Sequence, residues 1–338
     1  MTSPIQHVII IVKENHTFDN YFGTFPGTAG ATLPQAPDPL PDPLHDHAAW
    51  LNSIAHGGGV KQQYKKPDIA AYWAFAQQYT LCDNYFTDVA SQSEPNHLFL
   101  IAADSPVIDN STNRRNYQPH PPYNIQSLPA TLEASGRTWR NYADSHESYF
   151  TNIAALVHHK WNVPSSQFDQ DVAAGQLPDV AWLYAPNGMS EHPGDWTGSP
   201  VVAPGINWTV DRVHAVAASP LWAHTAIFIT WDDWGGWYDH VVPPLASQWT
   251  GGGHAGYQNS QFRYGPRVAC LALSPYAKQQ INHSFLSHAS IVKFCLRLYG
   301  LSAWNVPALA PGDQSGDMWG CFDFAAPPRL APPATTPV

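Results

Sequence analysis

The chain has 338 residues, 44% of them apolar, enough for a sizeable core in one large α/β domain or two smaller ones. Only 12% are charged, and a formal charge of −10 leaves no basic excess to displace counterions from a nucleic-acid backbone, so no nucleic-acid partner is expected. No apolar stretch reaches the length of a transmembrane segment, while 32 Pro, 23 Gly, 14 Trp and 15 Tyr suit long, well-packed loops with aromatic linings.

The first predicted element is a strand. His7-Val8-Ile9-Ile10-Ile11-Val12 is a run rich in β-branched residues that stops at Lys13-Glu14-Asn15. In open α/β sheets ligands lie beyond the carboxyl ends of strands, which makes Glu14 and Asn15 candidate site residues. Residues 24–48 are rich in Pro, Gly and Asp and read as a long loop, part of an excursion near 24–60. A helix is predicted over 69–79, a short strand region over 81–89, and a helix over 95–103 with Pro95 in its first turn. Residues 104–124 form a second polar, Pro-rich excursion. A helix from 131 then runs into a strand at 137–142, followed by a helix at 168–174, a strand at 180–184 and a helix at 207–218. The strand at 226–231 leads straight into Asp232-Asp233. A strand at 268–274 and an amphipathic helix at 287–301 complete the pattern, and the Pro- and Ala-rich tail 327–338 is expected to fray. Strands alternating with helices predict a mainly parallel sheet with helices on both faces. With no internal repeat and no convincing linker, residues 1–326 read as a single domain.

Two apolar strands that each deliver hard oxygen donors at their ends predict a metal site made of Glu14, Asn15, Asp232 and Asp233. Adjacent like charges such as Asp232 and Asp233 repel unless they are solvated or bridged by a cation, and the bland reading of that pair is a solvated turn. Ser93 stands at the start of the helix containing Pro95, where a hydroxyl most often caps the backbone. The same position collects free N–H donors and the positive end of the helix dipole, which beside a metal site makes Ser93 a candidate nucleophile. Three carboxylates with one dication keep a net negative charge that would repel phosphate. Neutralising it calls for a second cation or for imidazolium donors, for which His97, His192 and His240 are the candidates. Protonating all 17 histidines would carry the formal charge from −10 to +7.

Cys82, Cys270, Cys295 and Cys321 lack zinc-site spacing, leaving disulfides and buried free thiols both open. The N-terminal Met-Thr-Ser-Pro has neither a basic segment nor an apolar segment before the first strand. No signal peptide is visible, and an intracellular chain or an already processed one is expected.

Several ordered motifs together resemble one family, the bacterial phosphoesterases that include non-specific phospholipases C and acid phosphatases of the A type. The first is Glu14-Asn15-His16-Thr17-Phe18-Asp19-Asn20-Tyr21-Phe22-Gly23, followed by Ser93-Glu94-Pro95-Asn96-His97-Leu98 and Glu191-His192-Pro193. Then come Thr230-Trp231-Asp232-Asp233-Trp234-Gly235-Gly236-Trp237-Tyr238-Asp239-His240-Val241, Gly265-Pro266-Arg267-Val268, Ser274-Pro275-Tyr276 and the segment from His288 to Phe294. The resemblance covers about residues 5 to 325.

The resemblance implies an alkaline-phosphatase-like fold, a three-layer α/β/α sandwich around a mainly parallel sheet. It further implies a divalent metal ion, one or two in number, on Glu14, Asn15, Asp232 and Asp233, with Ser93 attacking phosphorus through a phosphoseryl intermediate. His97, His192 and His240 would contact phosphate or protonate the leaving group, and a mid-chain histidine of the family falls at His158 or His159. The implied substrate is a phosphate ester or a phospholipid, choline phospholipids included. The family is commonly exported, and this chain is shorter than its longer phospholipases. A non-catalytic binding module on the same fold is the competing expectation, and the retention of Glu14, Ser93 and Asp232-Asp233 together argues against it.

Overall fold

The computed structural model describes residues 3–111, 119–144, 148–194, 198–251, 255–301 and 312–335. Its strands, in chain order, are β1 (His7–Lys13), β2 (Thr80–Cys82), β3 (Tyr85–Phe86), β4 (Trp139–Tyr142), β5 (Asn162–Val163) and β6 (Val180–Tyr184). They continue with β7 (Thr225–Trp231), β8 (Ser247–Gln248), β9 (Gln261–Arg263), β10 (Cys270–Leu273), β11 (Gln280–Asn282) and β12 (Leu286–Ser287). The helices are α1 (Phe18–Phe22), α2 (His47–His56), α3 (Ala70–Gln78), α4 (Ser93–Ala102), α5 (Leu128–Ala134), α6 (Gln167–Ala173), α7 (Val202–Ala217) and α8 (His288–Leu298).

Eight strands form the central sheet in the order β11-β2-β10-β7-β1-β6-β4-β5. All are parallel except β10, which runs against both β7 and β2. Strand β1 lies in the middle with every residue from Val8 to Lys13 buried, as its unbroken apolar run demands of a strand covered on both faces. Helices α3, α7 and α6 pack in one chain of contacts and α5, α4 and α8 in another, giving the expected three-layer α/β/α arrangement. Helix α4 is buried on all sides. Leu98, Phe99, Leu100 and Ile101 are inaccessible, each contributing roughly 1.5–3 kcal/mol of burial. No described helix is long and apolar enough to cross a membrane.

Several element bounds depart from the sequence reading. Helix α7 starts at Val202, five residues before the expected 207, and α5 starts at Leu128 because Ser127 caps it from outside and Pro129 fits its first turn. The 24–60 excursion contains α2, capped by Asp46 on the Ala49 N–H. Only His47 and Trp50 of that helix are buried, so its apolar periodicity is faint. The strand region 81–89 divides into β2 and β3, the latter pairing with β12. All four cysteines are free and buried, with Cys82 Sγ and Cys321 Sγ 3.7 Å apart. The described part of the tail, 327–335, has no regular element yet is pinned: Arg329 donates to the carbonyls of Gln78 (2.8 Å) and Ala277 (2.6 Å) and stacks over Tyr79.

Candidate functional site

Three neighbouring strands, β7, β1 and β6, bring their carboxyl ends to one edge of the sheet. The register pairs Lys13 with Trp231, so Glu14-Asn15 and Asp232-Asp233 leave the sheet side by side. Asn15 adopts a left-handed backbone (φ 56°), which Asn tolerates better than most residues, and its N–H donates to Asp232 Oδ1 at 3.3 Å. Gly235 also has φ 56°, and a Cβ there would fall 2.5 Å from the Asn15 carbonyl oxygen. The Gly-Gly pair after Asp232-Asp233 therefore lets that loop fold back onto Asn15, which a side chain would prevent.

Inside this edge, one donor atom each from Glu14, His97 and Asp232 lies within 4.8 Å of the others, all three residues being buried. His97 Nε2 is 3.1 Å from Asp232 Oδ2 and 3.6 Å from Glu14 Oε1. Burial alone would lower the His97 pKa, but hydrogen bonds and charge from Asp232 and Glu14 outweigh it and raise the group to about 10. Burial pushes Asp232 upward, yet the His97 contact holds it below the usual carboxylate range. Asp233 is pushed well above that range by burial and by the charges of Asp232 and Glu14. The His97 ring is held between Tyr149 and Tyr184, centroids 5.0 and 5.5 Å away.

Ser93 is the first residue of α4, and Gln92 occupies the cap position. Its hydroxyl does not cap the helix; it donates to Asp233 Oδ2 at 3.1 Å, while the Gly235 N–H fixes Asp233 Oδ1 at 2.7 Å. The bland reading of Ser93 as a cap is set aside by this geometry. Next to it lies a polar cavity of about 250 Å³ bordered by Glu14, Ser93, Asp42, His45, Tyr149 and His192.

His45 is not among the residues the sequence points to: it sits in the aperiodic excursion, where its local signal is the abundance of His and Asp over residues 42–47. His45 Nδ1 bonds the Pro43 carbonyl at 2.7 Å and His192 Nδ1 the Pro193 carbonyl at 2.6 Å. Both Nε2 atoms are thereby turned toward the Asn15 amide, at 3.3 and 3.1 Å.

That amide tests whether a cation fits. One of its terminal atoms lies 2.8 Å from both Glu14 Oε2 and Asp232 Oδ1. If the NH₂ stands there, it donates to both carboxylates and the amide oxygen accepts from His192. If the oxygen stands there, the NH₂ donates to the Nε2 lone pairs of His45 and His192, and three oxygens converge in an arrangement that a bound cation stabilises. The donor set is hard and oxygen-rich, matching a divalent cation.

The structure thus brings together Glu14, Asn15, Ser93, His97, His192, Asp232 and Asp233, with His45 added. It does not bring the remaining three candidates to this cavity. His240 donates its backbone N–H to Asp19 Oδ2 and has Nδ1 2.6 Å from the same oxygen, beside Arg267, and borders a different cavity of about 300 Å³ with Trp50 and Trp234. His159 faces Glu133 at 3.0 Å with its ring against Trp139, and His158 is exposed. These three fall outside because each is sequestered by a local partner or by solvent.

Comparison with known proteins agrees with this architecture. The chain is 28% identical to the non-hemolytic phospholipase C of Pseudomonas aeruginosa, with 96% of this chain and 58% of that protein covered. It is 26% identical to phospholipase C B of Mycobacterium tuberculosis, covering 97% and 80%. The chain therefore spans less than two thirds of the Pseudomonas protein. Among solved structures, murine ectonucleotide pyrophosphatase/phosphodiesterase 5 shares the fold at a TM-score of 0.51 and 9% identity, covering 94% of this chain and all of that one. The Phosphoesterase family profile matches residues 5–43 and 45–302, nearly the whole of the sheet and every strand end that carries the site, and the chain belongs to that family.

Proposed function

We propose that this protein is a metal-dependent phosphoric ester hydrolase of the phospholipase C or acid phosphatase type, acting through a phosphoseryl intermediate on Ser93. The observation that carries this reading is the Ser93 hydroxyl, bonded to Asp233 at 3.1 Å on the wall of a polar cavity that also holds Glu14, His45 and His192. The phospholipase C names of its relatives support an ester of phosphoric acid as substrate.

Glu14, Asn15, Asp232 and Asp233 would hold the cation. Once bound, it would supply Lewis-acid polarisation of the phosphoryl oxygens and favour the serine alkoxide. The remaining work falls to the chain's own groups. Asp233 accepts the Ser93 O–H bond and so aims the Oγ lone pair across the cavity. The start of α4 presents its dipole to the phosphoryl oxygens. Attack forms the Oγ–P bond and breaks the bond from phosphorus to the leaving oxygen, while the Ser93 proton passes along its hydrogen bond to Asp233 Oδ2. The leaving oxygen takes a proton from a protonated imidazole at the cavity border, His45 or His192, whose Nε2–H turns from the Asn15 amide toward it. Water then displaces Oγ from phosphorus, the imidazole accepting the water proton and Asp233 returning its own to Oγ.

The test is Ser93→Ala, assayed on p-nitrophenyl phosphate and on p-nitrophenyl phosphorylcholine, each with and without a chelator. Turnover is expected to fall by about 10⁴-fold or more, the scale of nucleophile removal in covalent enzymes, with metal content unchanged. Surviving turnover would remove Ser93 from the role. The ratio of the two wild-type rates separates monoesterase from diesterase chemistry.

A further inference from the structure

Behind the proposed site lies a second constellation, centred on Glu191. This residue is inaccessible to solvent and adopts φ 75°, a left-handed backbone that a Glu side chain rarely takes. Its carboxylate is filled from four directions. Oε1 accepts from Tyr72 Oη at 2.5 Å and pairs with Lys13 Nζ at 3.2 Å. Oε2 accepts from Tyr21 Oη at 2.9 Å and Trp231 Nε1 at 3.2 Å. Every one of these partners is itself buried. The fit is tight enough that a Cβ on Gly205 of α7 would lie 2.4 Å from Glu191 Cγ.

The chain positions of the partners matter more than their number. Lys13 immediately precedes Glu14, Trp231 immediately precedes Asp232, and Glu191 immediately precedes His192. Lys13 and Trp231, the last residues of β1 and β7, reach Glu191, whereas Glu14 and Asp232, one residue further on, meet His97 instead. One carboxylate thus ties the three chain ends whose next residues compose the site. Tyr21 adds the helix that follows Asn15, and the Glu191 carbonyl holds His16 Nε2 at 3.0 Å.

We propose that Glu191 is a positioning residue: by joining Lys13, Trp231 and its own loop, it sets the spacing of the Glu14, Asp232 and His192 donor groups. This inference rests on the metal-dependent reading above. The residues that orient metal ligands typically govern affinity by about 10–100-fold when altered, and an effect of that order is expected here.

The experiment uses Mn²⁺ as the probe, measuring its dissociation constant by chelator competition on the full chain alongside Tm and the kinetic constants. Glu191→Gln is expected to weaken Mn²⁺ by at least about tenfold and to lower kcat. Tyr72→Phe, which removes one donor to the carboxylate without altering a neighbour of the site, should weaken Mn²⁺ by a smaller, measurable factor. The matched control is Tyr142→Phe, which removes an equally buried hydroxyl from Asp171 (2.7 Å) at the β4–α6 contact. It should lower Tm comparably and leave Mn²⁺ affinity unchanged. The double variant Lys13→Met/Glu191→Gln relieves the unpaired buried charge but takes the Lys13 donor from the Met189 and Gly205 carbonyls; it should regain part of the lost Tm without regaining affinity. If Glu191→Gln does not fold, Tyr72→Phe against Tyr142→Phe decides the matter. Unchanged Mn²⁺ affinity in Tyr72→Phe and Glu191→Gln, or recovery of affinity together with Tm in the double variant, overturns the inference while the proposed function stands. Failure of the wild-type chain to bind Mn²⁺ or any other divalent cation overturns both.

Discussion

Replacing Asp233 by Asn should separate a cation ligand from an ordinary buried carboxylate by the sign of its effect. Among the described residues no Lys, Arg or His forms an ion pair with Asp233; it accepts from Ser93 and Gly235 and is repelled by Asp232 and Glu14. Two carboxylates roughly 5 Å apart repel by about 3 kcal/mol at an effective dielectric of 20. An amide keeps the Gly235 bond and removes that repulsion. Metal-free Asp233→Asn should therefore melt no lower than wild type, and up to about 6 °C higher at about 2 °C per kcal/mol. The direction of the carboxyl shift fixes the pH window. A raised carboxyl contributes stability that is full below the ordinary carboxylate range and lost as pH rises through the raised value, so the advantage of Asn grows above about pH 4. Saturating cation does the opposite. At about 1,000-fold excess over Kd it stabilises wild type by about 4 kcal/mol, close to 8 °C, and the variant should lose most of that gain. Differential scanning fluorimetry of both proteins, with chelator and with titrated Mn²⁺, reads all four values. A variant that melts below wild type without metal and yet retains the full metal-induced rise would refute the ligand role.

His45→Ala should lower kcat/KM by about 10²–10³-fold while sparing the fold, and wild-type kinetics would take His45 out of the site. Gly235→Ala should cost roughly 1–3 kcal/mol and reduce bound metal together, because its Cβ would meet the Asn15 carbonyl oxygen; elemental analysis beside a denaturation curve checks both. Asp104, pushed up to about 6 by burial, contributes stability that is full below pH 4 and lost as pH rises through 6. Asp104→Asn should thus raise Tm at pH 7 by at most the equivalent of about 3 kcal/mol and leave it unchanged at pH 4. Equal gains at both pH values would mean that ionisation is not the cause.

Local chemistry was enough to read much of this protein. Uninterrupted apolar runs at Val8–Val12 and Ala226–Ile229 identified strands covered on both faces, because only a doubly covered strand lacks polar alternation. Acidic and amide residues at the ends of those runs named Glu14, Asn15, Asp232 and Asp233, since strand ends are where side chains escape the sheet. Tertiary structure decided the rest. The fact that Ser93 donates to Asp233, 140 residues away, rather than capping its own helix depends on how α4 packs against the sheet. His45 joined the cavity through a loop without periodicity, and His240, equally plausible in sequence, was captured by Asp19 from another motif. The Glu191 carboxylate collects donors from residues 13, 21, 72 and 231, a set no local pattern encodes. Sequence records which atoms stand beside one another along the chain; a site held by contacts across a hundred residues or more exists only once the sheet order has been chosen.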